Sequence, residues 1–320
     1  MQKNNRTGIL LINLGTPNDP STASVRKYLR EFLFDPRVIE LPTLPRWLLL
    51  NLVILPFRAK KSAKAYKEIW GANGSPLLIN SVNIQEKLQA TLGDSYKVAL
   101  GMRYGEPSIK NAIRYLQLSA VTNIIVVPLF PQYASAVTGS ALQVVLQMVA
   151  QQKVITPVKI ITDFFKHEAY IQALAASIAP YIMKQYDFLL MSYHGLPERQ
   201  MINPGVSCYR TQCLQTSKLL AEHLQLPDNK WDVSFQSRLG KLPWIKPYTD
   251  QMLVDLRQRG IKKLLVCCPS FVADCLETLE EIGIRASEQW LKLGGTNLEL
   301  IPCLNNQQQW INALKTISLH

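Results

Sequence analysis

The sequence predicts an α/β fold of two similar Rossmann-like domains, each a four-stranded parallel sheet flanked by helices. Three observations predict it. Short apolar runs alternate with longer segments of helical period along the whole chain. Runs such as IIVVP and KLLVCCP are apolar on both faces, as strands covered by helices on both sides must be. The alternation also repeats. GILLINLGTP from residue 8 is echoed by DFLLMSYHGLP from residue 187, KVALGMRYG (97–105) by DVSFQSRLG (232–240), NIIVVPLF (123–130) by KKLLVCCPSF (262–271), and VKIITDF (158–164) by LELIPCL (298–304). Four strand–turn units in one order, twice over, predict two domains, 1–170 and 171–320. A single eight-stranded barrel is the alternative arrangement.

In chain order, apolar runs place strands at 8–14, 96–102, 123–128, 158–162, 187–193, 231–237, 262–268 and 298–302. Helical period places helices at 21–33, 76–92, 138–151, 167–184, 207–224, 247–258 and 274–293. A last helix at 306–319 can pack on either domain. The length of 320 residues agrees with two domains at roughly 100–200 residues each. With 48% hydrophobic and 18% charged residues the chain has material for a packed core and is not disordered. The net charge of +12 favours an anionic partner, whether nucleic acid, membrane surface or a small acidic ligand.

The N-terminus lacks the cleavage pattern of a secretory signal. The longest apolar stretch, between Pro45 and Pro56, falls short of the ~20 residues a bilayer needs. Six cysteines in a chain this long suggest reduced thiols and a cytoplasmic protein. No P-loop, no G-x-G-x-x-G after a strand and no G-x-S-x-G elbow occurs, so ATP-, NAD- and serine-hydrolase chemistry is not indicated. The single glycine of LGTP is a weak phosphate cradle. The cysteine spacing predicts neither a structural zinc nor an iron–sulfur cluster.

Ligands of open α/β sheets bind beyond the carboxyl ends of the strands. Those ends carry Leu14, Arg103 with Tyr104, His194 with Gly195, Arg238 with Trp244, and Asp274, Cys275 and Glu277. His194, in SYHGLP, is either a turn histidine held by backbone bonds or a base or metal ligand near neutral pH. His167 and His223 read as solvated helix residues. In DCLETLEEIGI the i, i+4 spacing puts Glu277 and Glu281 on one helical face, with Asp274 sharing part of it. The face is either solvated, serving the helix dipole, or buried, where stacked carboxylates hold protons and welcome a cation. Glu280 fits the solvated reading. PRWLLLNLVILPFRAKKSAKAYK joins an apolar run to Arg58, Lys60, Lys61, Lys64 and Lys67. It reads as a core helix followed by a solvated one, or as a greasy lip bordered by cations. Such a lip suits a flat apolar ligand with carboxylate tails, or an anionic membrane surface. Nucleic acid fits poorly, because aromatics do not interleave the basic residues.

LINLGTP, FLFDPRVIELP, GxxxSPL around Ser75, GMRYG, PLFPQYAS with TGS, SYHGLP, FQSRLGKLPWIKPYTD and the DCLETLEEI helix occur together and in this order from residue 8 to about 304. In these the chain resembles the ferrochelatases, enzymes that insert ferrous iron into a porphyrin to make haem. The resemblance implies two Rossmann-like domains around a porphyrin cleft. His194 and Glu277 match the family's essential histidine and glutamate, serving catalysis and metal. Leu14, Arg103, Tyr104 and Trp244 match positions near the macrocycle, Arg58 and Lys61 basic positions at its mouth, and Asp274 and Glu281 accessory acidic positions. The resemblance implies protoporphyrin and ferrous iron as substrates, no required cofactor, and a cytoplasmic chain that contacts the inner-membrane surface or stands free of it. Coproporphyrin as substrate, or cobalt or nickel as metal, are the neighbouring activities. Departures are Ser135 and a short C-terminus without the cysteines that hold an iron–sulfur cluster in some members, Phe130 in place of a tyrosine, and Cys275 in place of a frequent histidine.

Overall fold

The computed structural model describes residues 6–201, 208–240 and 242–319. The chain forms two compact units. One runs from the N-terminus through Asp163 and takes in the C-terminal residues from Leu314; the other is Phe164–Ala313.

In the first unit β1 (Arg6–Gly15), β2 (Tyr96–Tyr104), β3 (Val121–Pro128) and β4 (Val158–Ile160) form a sheet in the order β2-β1-β3-β4. Every pair is parallel, with Ile9 opposite both Val98 and Ile125. Leu10 and Ile12 pack with Ala99, Ile113, Val126 and Val145 on one face. Ile9 and Leu11, pointing the other way, are also fully buried. Burial on both faces is what the unbroken apolar runs record. Around the sheet lie α1 (Thr22–Leu33), α2 (Thr43–Leu48), α3 (Leu55–Ile69), α4 (Pro76–Leu92), α5 (Ile109–Leu118) and α6 (Ser140–Ala150). Ser21 caps α1 by accepting from Ser24 N, and Ser108 caps α5 by accepting from Asn111 N. The predicted helix 138–151 begins instead with a π-helical segment, Ser135–Gly139, and a second, Leu49–Ile54, joins α2 to α3.

The second unit repeats the plan. Strands β5 (Phe188–His194), β6 (Trp231–Gln236), β7 (Lys263–Cys267) and β8 (Asn297–Leu300) are parallel in the order β6-β5-β7-β8. Phe188, Leu190, Leu264 and Val266 pack against Leu253 and Leu256 of α9 (Thr249–Gln258) and Trp290 of α10 (Ser287–Lys292). Helix α7 is Glu168–Ile182, α8 Tyr209–His223 and α11 Gln308–Leu319. The predicted start of α8 at Ser207 lies outside the described residues. The predicted boundary at 170/171 falls inside α7. Tyr170 packs edge-on against Phe164 and Trp310, and its hydroxyl donates to Pro269 O, which gathers the chain from Phe164 onward into the second unit. No helix among the described residues is long and apolar enough to cross a membrane.

Two separate four-stranded parallel sheets replace the barrel alternative. The predicted helix 274–293 is a ten-residue π-helix, Glu277–Ala286, running into α10.

Candidate active site

In the second unit the carboxyl ends of β5 and β6 and the start of the π-helix bring several predicted residues together. His194 ends β5 and is half-buried. Its backbone N–H donates to Ser270 Oγ at 3.1 Å, and Tyr209 donates its hydroxyl to His194 O at 2.9 Å. The ring Nδ1 lies 2.6 Å from Gly195 O. A carbonyl only accepts, so Nδ1 carries the hydrogen and neutral His194 keeps the lone pair on Nε2. Gly195 has no room for a side chain: a Cβ there would sit 2.7 Å from Gln236 O and 3.3 Å from the Trp244 ring. Trp244 is half-buried and donates from its indole nitrogen to Leu239 O at 2.9 Å. His194 and Trp244 thus share one corner of the unit.

Glu277 opens the π-helix and is half-buried, with the buried thiol of Cys275 hydrogen-bonded to its carboxylate. Burial, then that carboxylate, drives the Cys275 thiol well above its usual range. Glu281 accepts from Ser237 twice, N–H at 2.8 Å and hydroxyl at 2.5 Å, which holds Ser237 in a left-handed turn at φ 66°. Burial raises the Glu281 proton affinity, and the Ser237 bonds and the charges of Arg285 and His194 offset part of it. Glu277 and Glu281 are therefore half-buried together, not spread along a solvated face. Asp274 is placed differently. It is buried, and its carboxylate accepts from Thr278 Oγ1 at 3.0 Å, Asn305 Nδ2 at 2.7 Å and Cys303 N at 3.3 Å. Those bonds occupy it as a joint between the loop, the helix start and the end of β8. Glu280, expected in solvent, is 7% exposed and is gripped by Arg285 Nε at 2.8 and 2.9 Å.

In the first unit, Gly15 is fixed by packing: at φ 108° a Cβ would meet Tyr104 O at 1.8 Å. The LGTP turn is glycine for that close approach, not as a phosphate cradle. Leu14 stands half-buried at this strand end, its N–H donating to Asn13 Oδ1 at 2.8 Å. Arg103 donates to Asp35 Oδ2 at 2.6 Å and to Ser140 Oγ at 2.6 Å, with its guanidinium 4.4 Å from the Tyr104 ring centre. Tyr104 donates to Asp35 at 2.9 Å. Burial pushes the Asp35 carboxyl up, but bonds from Ser140, Arg37 N–H and Tyr104 and the Arg103 charge outweigh it and hold it below its usual value. Tyr104, expected near a macrocycle, has no exposed surface. Its hydroxyl donates to Asp35 and its ring lies under the Arg103 guanidinium. Asp35 and Ser140 carry no site signal in the sequence beyond membership of the FLFDPR and TGS stretches.

Arg58 is half-buried and Lys61 exposed on α3, whose inner stripe is Leu55, Ala59, Ala63 and Tyr66. Next to them Leu44, Leu52, Val53 and Phe57 are 56–77% exposed. The apolar run is a surface feature and not a core helix. His167 caps α7 by accepting from Ala169 N, and His223 Nε2 lies 3.4 Å from Glu168. All six cysteines are free thiols. Among the described residues no group of three or more His, Cys, Asp and Glu is arranged to hold a metal ion.

Comparison with known proteins bears on this arrangement. A family model described as Ferrochelatase matches residues 6–320. The ferrochelatase of Legionella pneumophila (strain Philadelphia 1) is 52% identical, covering 98% of both chains. That of Coxiella burnetii (strain RSA 493 / Nine Mile phase I) is 48% identical, covering 98% of this chain and 93% of its own. Among solved structures, the sirohydrochlorin chelatase SirB from Bacillus subtilis subspecies spizizenii, in complex with cobalt, superposes with a TM-score of 0.58 at 12% identity. It covers 98% of this chain and 94% of SirB, which is a likeness of fold. With a family model spanning all but the first residues and curated relatives near half identical end to end, the chain belongs to the ferrochelatase family.

Proposed function

We propose that this protein is a lyase that inserts ferrous iron into protoporphyrin IX to form protohaem, with His194 and Glu277 as the groups that act on the reacting atoms. The observation that carries the assignment is the His194 tautomer. With Nδ1–H held on Gly195 O, Nε2 is left as a fixed, half-buried lone pair at a strand end. That atom accepts a proton or binds a metal, and it does only one at a time.

Metalation replaces two pyrrole protons with one dication. A flat free-base ring directs its nitrogen lone pairs into a hole that its own hydrogens fill, so the ring must bend before iron enters. Trp244, half-buried beside Gly195, is the apolar surface assigned to grip it, and a grip complementary to the bent ring lowers the barrier. His194 Nε2 takes the ring protons. Glu277, an oxygen donor at the start of the π-helix, receives iron as it sheds water, a suitable ligand type together with imidazole. Glu281, whose proton affinity burial raises, stands next in line to accept a proton from His194. Arg58 and Lys61 are assigned to the porphyrin carboxylates. Asp274, fully engaged by Thr278, Asn305 and Cys303, serves to position the helix.

The apolar segment Leu44–Phe57 with Lys60, Lys61, Lys64 and Lys67 is assigned to contact with an anionic membrane surface. The reaction is tested by mixing protein, ferrous iron and protoporphyrin without air and following the visible spectrum. His194→Ala and Glu277→Gln are each expected to lose at least ~10²-fold in turnover, the general-base range, while porphyrin still quenches protein fluorescence. Normal turnover by His194→Ala overturns the assignment. Preference for cobalt, nickel or coproporphyrin in the same assay reassigns the substrate and leaves the residue roles standing.

A further inference from the structure

We infer that Gln236 is a positioning residue for this reaction: it ties the turn that carries His194 to the helix that carries Glu277, through both its main chain and its side chain. The inference rests on the roles proposed for His194 and Glu277 and extends them to a residue that touches no substrate. Gln236 ends β6 and is the register partner of His194 across the β5–β6 pair. Its carbonyl accepts the Gly195 N–H at 2.8 Å. Its side-chain Nε2 donates to the Glu277 carbonyl at 2.8 Å. Its Oε1 accepts from Ser192 Oγ at 2.7 Å, with Cys268 Sγ 3.7 Å away. One residue therefore bonds to the peptide next to the imidazole and to the peptide of the carboxylate.

The chemistry of the partners fixes the amide orientation. The Glu277 carbonyl only accepts, so the nitrogen end must face it, and the oxygen end then meets the donors Ser192 and Cys268. A carbonyl has two lone pairs, so the Gln236 bond adds to the hydrogen bonding of the helix without displacing it. At 3% exposure water cannot substitute for the amide. Nor does the main-chain side have slack, since any Cβ on Gly195 would come to 2.7 Å from Gln236 O. Nothing in the reaction needs an amide here. Its use is geometric: it sets the separation of base and carboxylate, and a misplacement of about 1 Å in such a pair costs on the order of 10²-fold in rate.

The test compares variants of the full chain. Gln236→Met keeps length and loses both polar ends; Gln236→Glu keeps shape and loses the donor; Gln236→Leu loses both polar ends in a branched side chain of similar size. Ser234→Ala is the control, because Ser234 belongs to the same buried polar chain, through Thr249 Oγ1 at 2.9 Å, without touching either bonded peptide. Expected is a fall in kcat of at least about tenfold in the three join variants, with porphyrin KM within about twofold, the split that marks loss of transition-state geometry. Ser234→Ala is expected to lower the unfolding temperature with kcat within about twofold of the parent. The inference is overturned if the join variants keep kcat, if Ser234→Ala loses as much kcat for the same loss of stability, or if none of the three folds, which would make Gln236 a folding residue. Retained turnover in His194→Ala or Glu277→Gln would sink the underlying assignment instead, so the two failures are told apart.

Discussion

At Glu281 two opposing effects meet in one carboxyl. Burial disfavours its charge, while two bonds from Ser237 and the nearby charges of Arg285 and His194 favour it; burial wins and the proton affinity rises. Above its ordinary 4.5 and up to the raised value, the folded chain holds a proton the unfolded chain has released. The contribution to stability is thus fully present below 4.5 and is lost as pH rises through the raised value. Glu281→Gln removes that titration. Urea unfolding should show the variant gaining on the parent as pH rises above 4.5, whatever constant offset the altered Ser237 contact adds. A difference that stays flat with pH contradicts the assignment. The i, i+4 spacing of Glu277 and Glu281 was legible, because periodicity records which side chains share a face. Their half-burial was not, since it depends on Ser237 and Gln236 arriving from a strand some 40 residues away in sequence. Tyr104 shows the converse. Its place after a strand pointed to ligand contact, and only packing around Asp35 reveals that it is sealed in.

Among elements, the π-helix Glu277–Ala286 departs most from the sequence pattern. Residues five apart are hydrogen-bond neighbours there, whereas an α-helix turns them to different sides. Glu280 and Arg285, five apart, pair through both carboxylate oxygens, and the same guanidinium lies 3.9 Å from Glu281 Oε2. Helical period alone gave an α-helix over 274–293, because apolar spacing of three to four fits either winding. Strand runs left no such ambiguity, and all eight appear within two residues of the expected bounds at each end. Arg285→Ala would leave Glu280 nearly buried without its partner. Arg285 itself is 56% exposed, so solvent screens part of the loss and the expected destabilisation is about 1–2 kcal/mol, not the larger figure for a fully buried pair. Chemical denaturation reads this directly, and an unchanged midpoint would show that the pair does not hold the π winding.

Across the whole molecule, one topology occurs twice, in the orders β2-β1-β3-β4 and β6-β5-β7-β8. The repeat was legible because each strand must be apolar on both faces and each turn must fit its neighbour, so both halves kept similar strings. Charge is also a whole-molecule property. At +12 the chain attracts any anionic surface, but net charge does not say where contact occurs. We propose that the apolar lip is that place. Leu52, Val53 and Phe57 expose most of their side chains beside Lys60, Lys61 and Lys64, and each lysine near an anionic surface adds about 1 kcal/mol that salt weakens. Vesicle flotation separates the two contributions. Vesicles rich in anionic lipid should carry the protein up the gradient at low salt and release most of it at high salt. Phe57→Ser should reduce the salt-resistant fraction, and Lys60→Glu with Lys61→Glu and Lys64→Glu the salt-sensitive one. If zwitterionic vesicles bind equally well, or if neither set of changes alters flotation, the lip is not the face that meets the membrane.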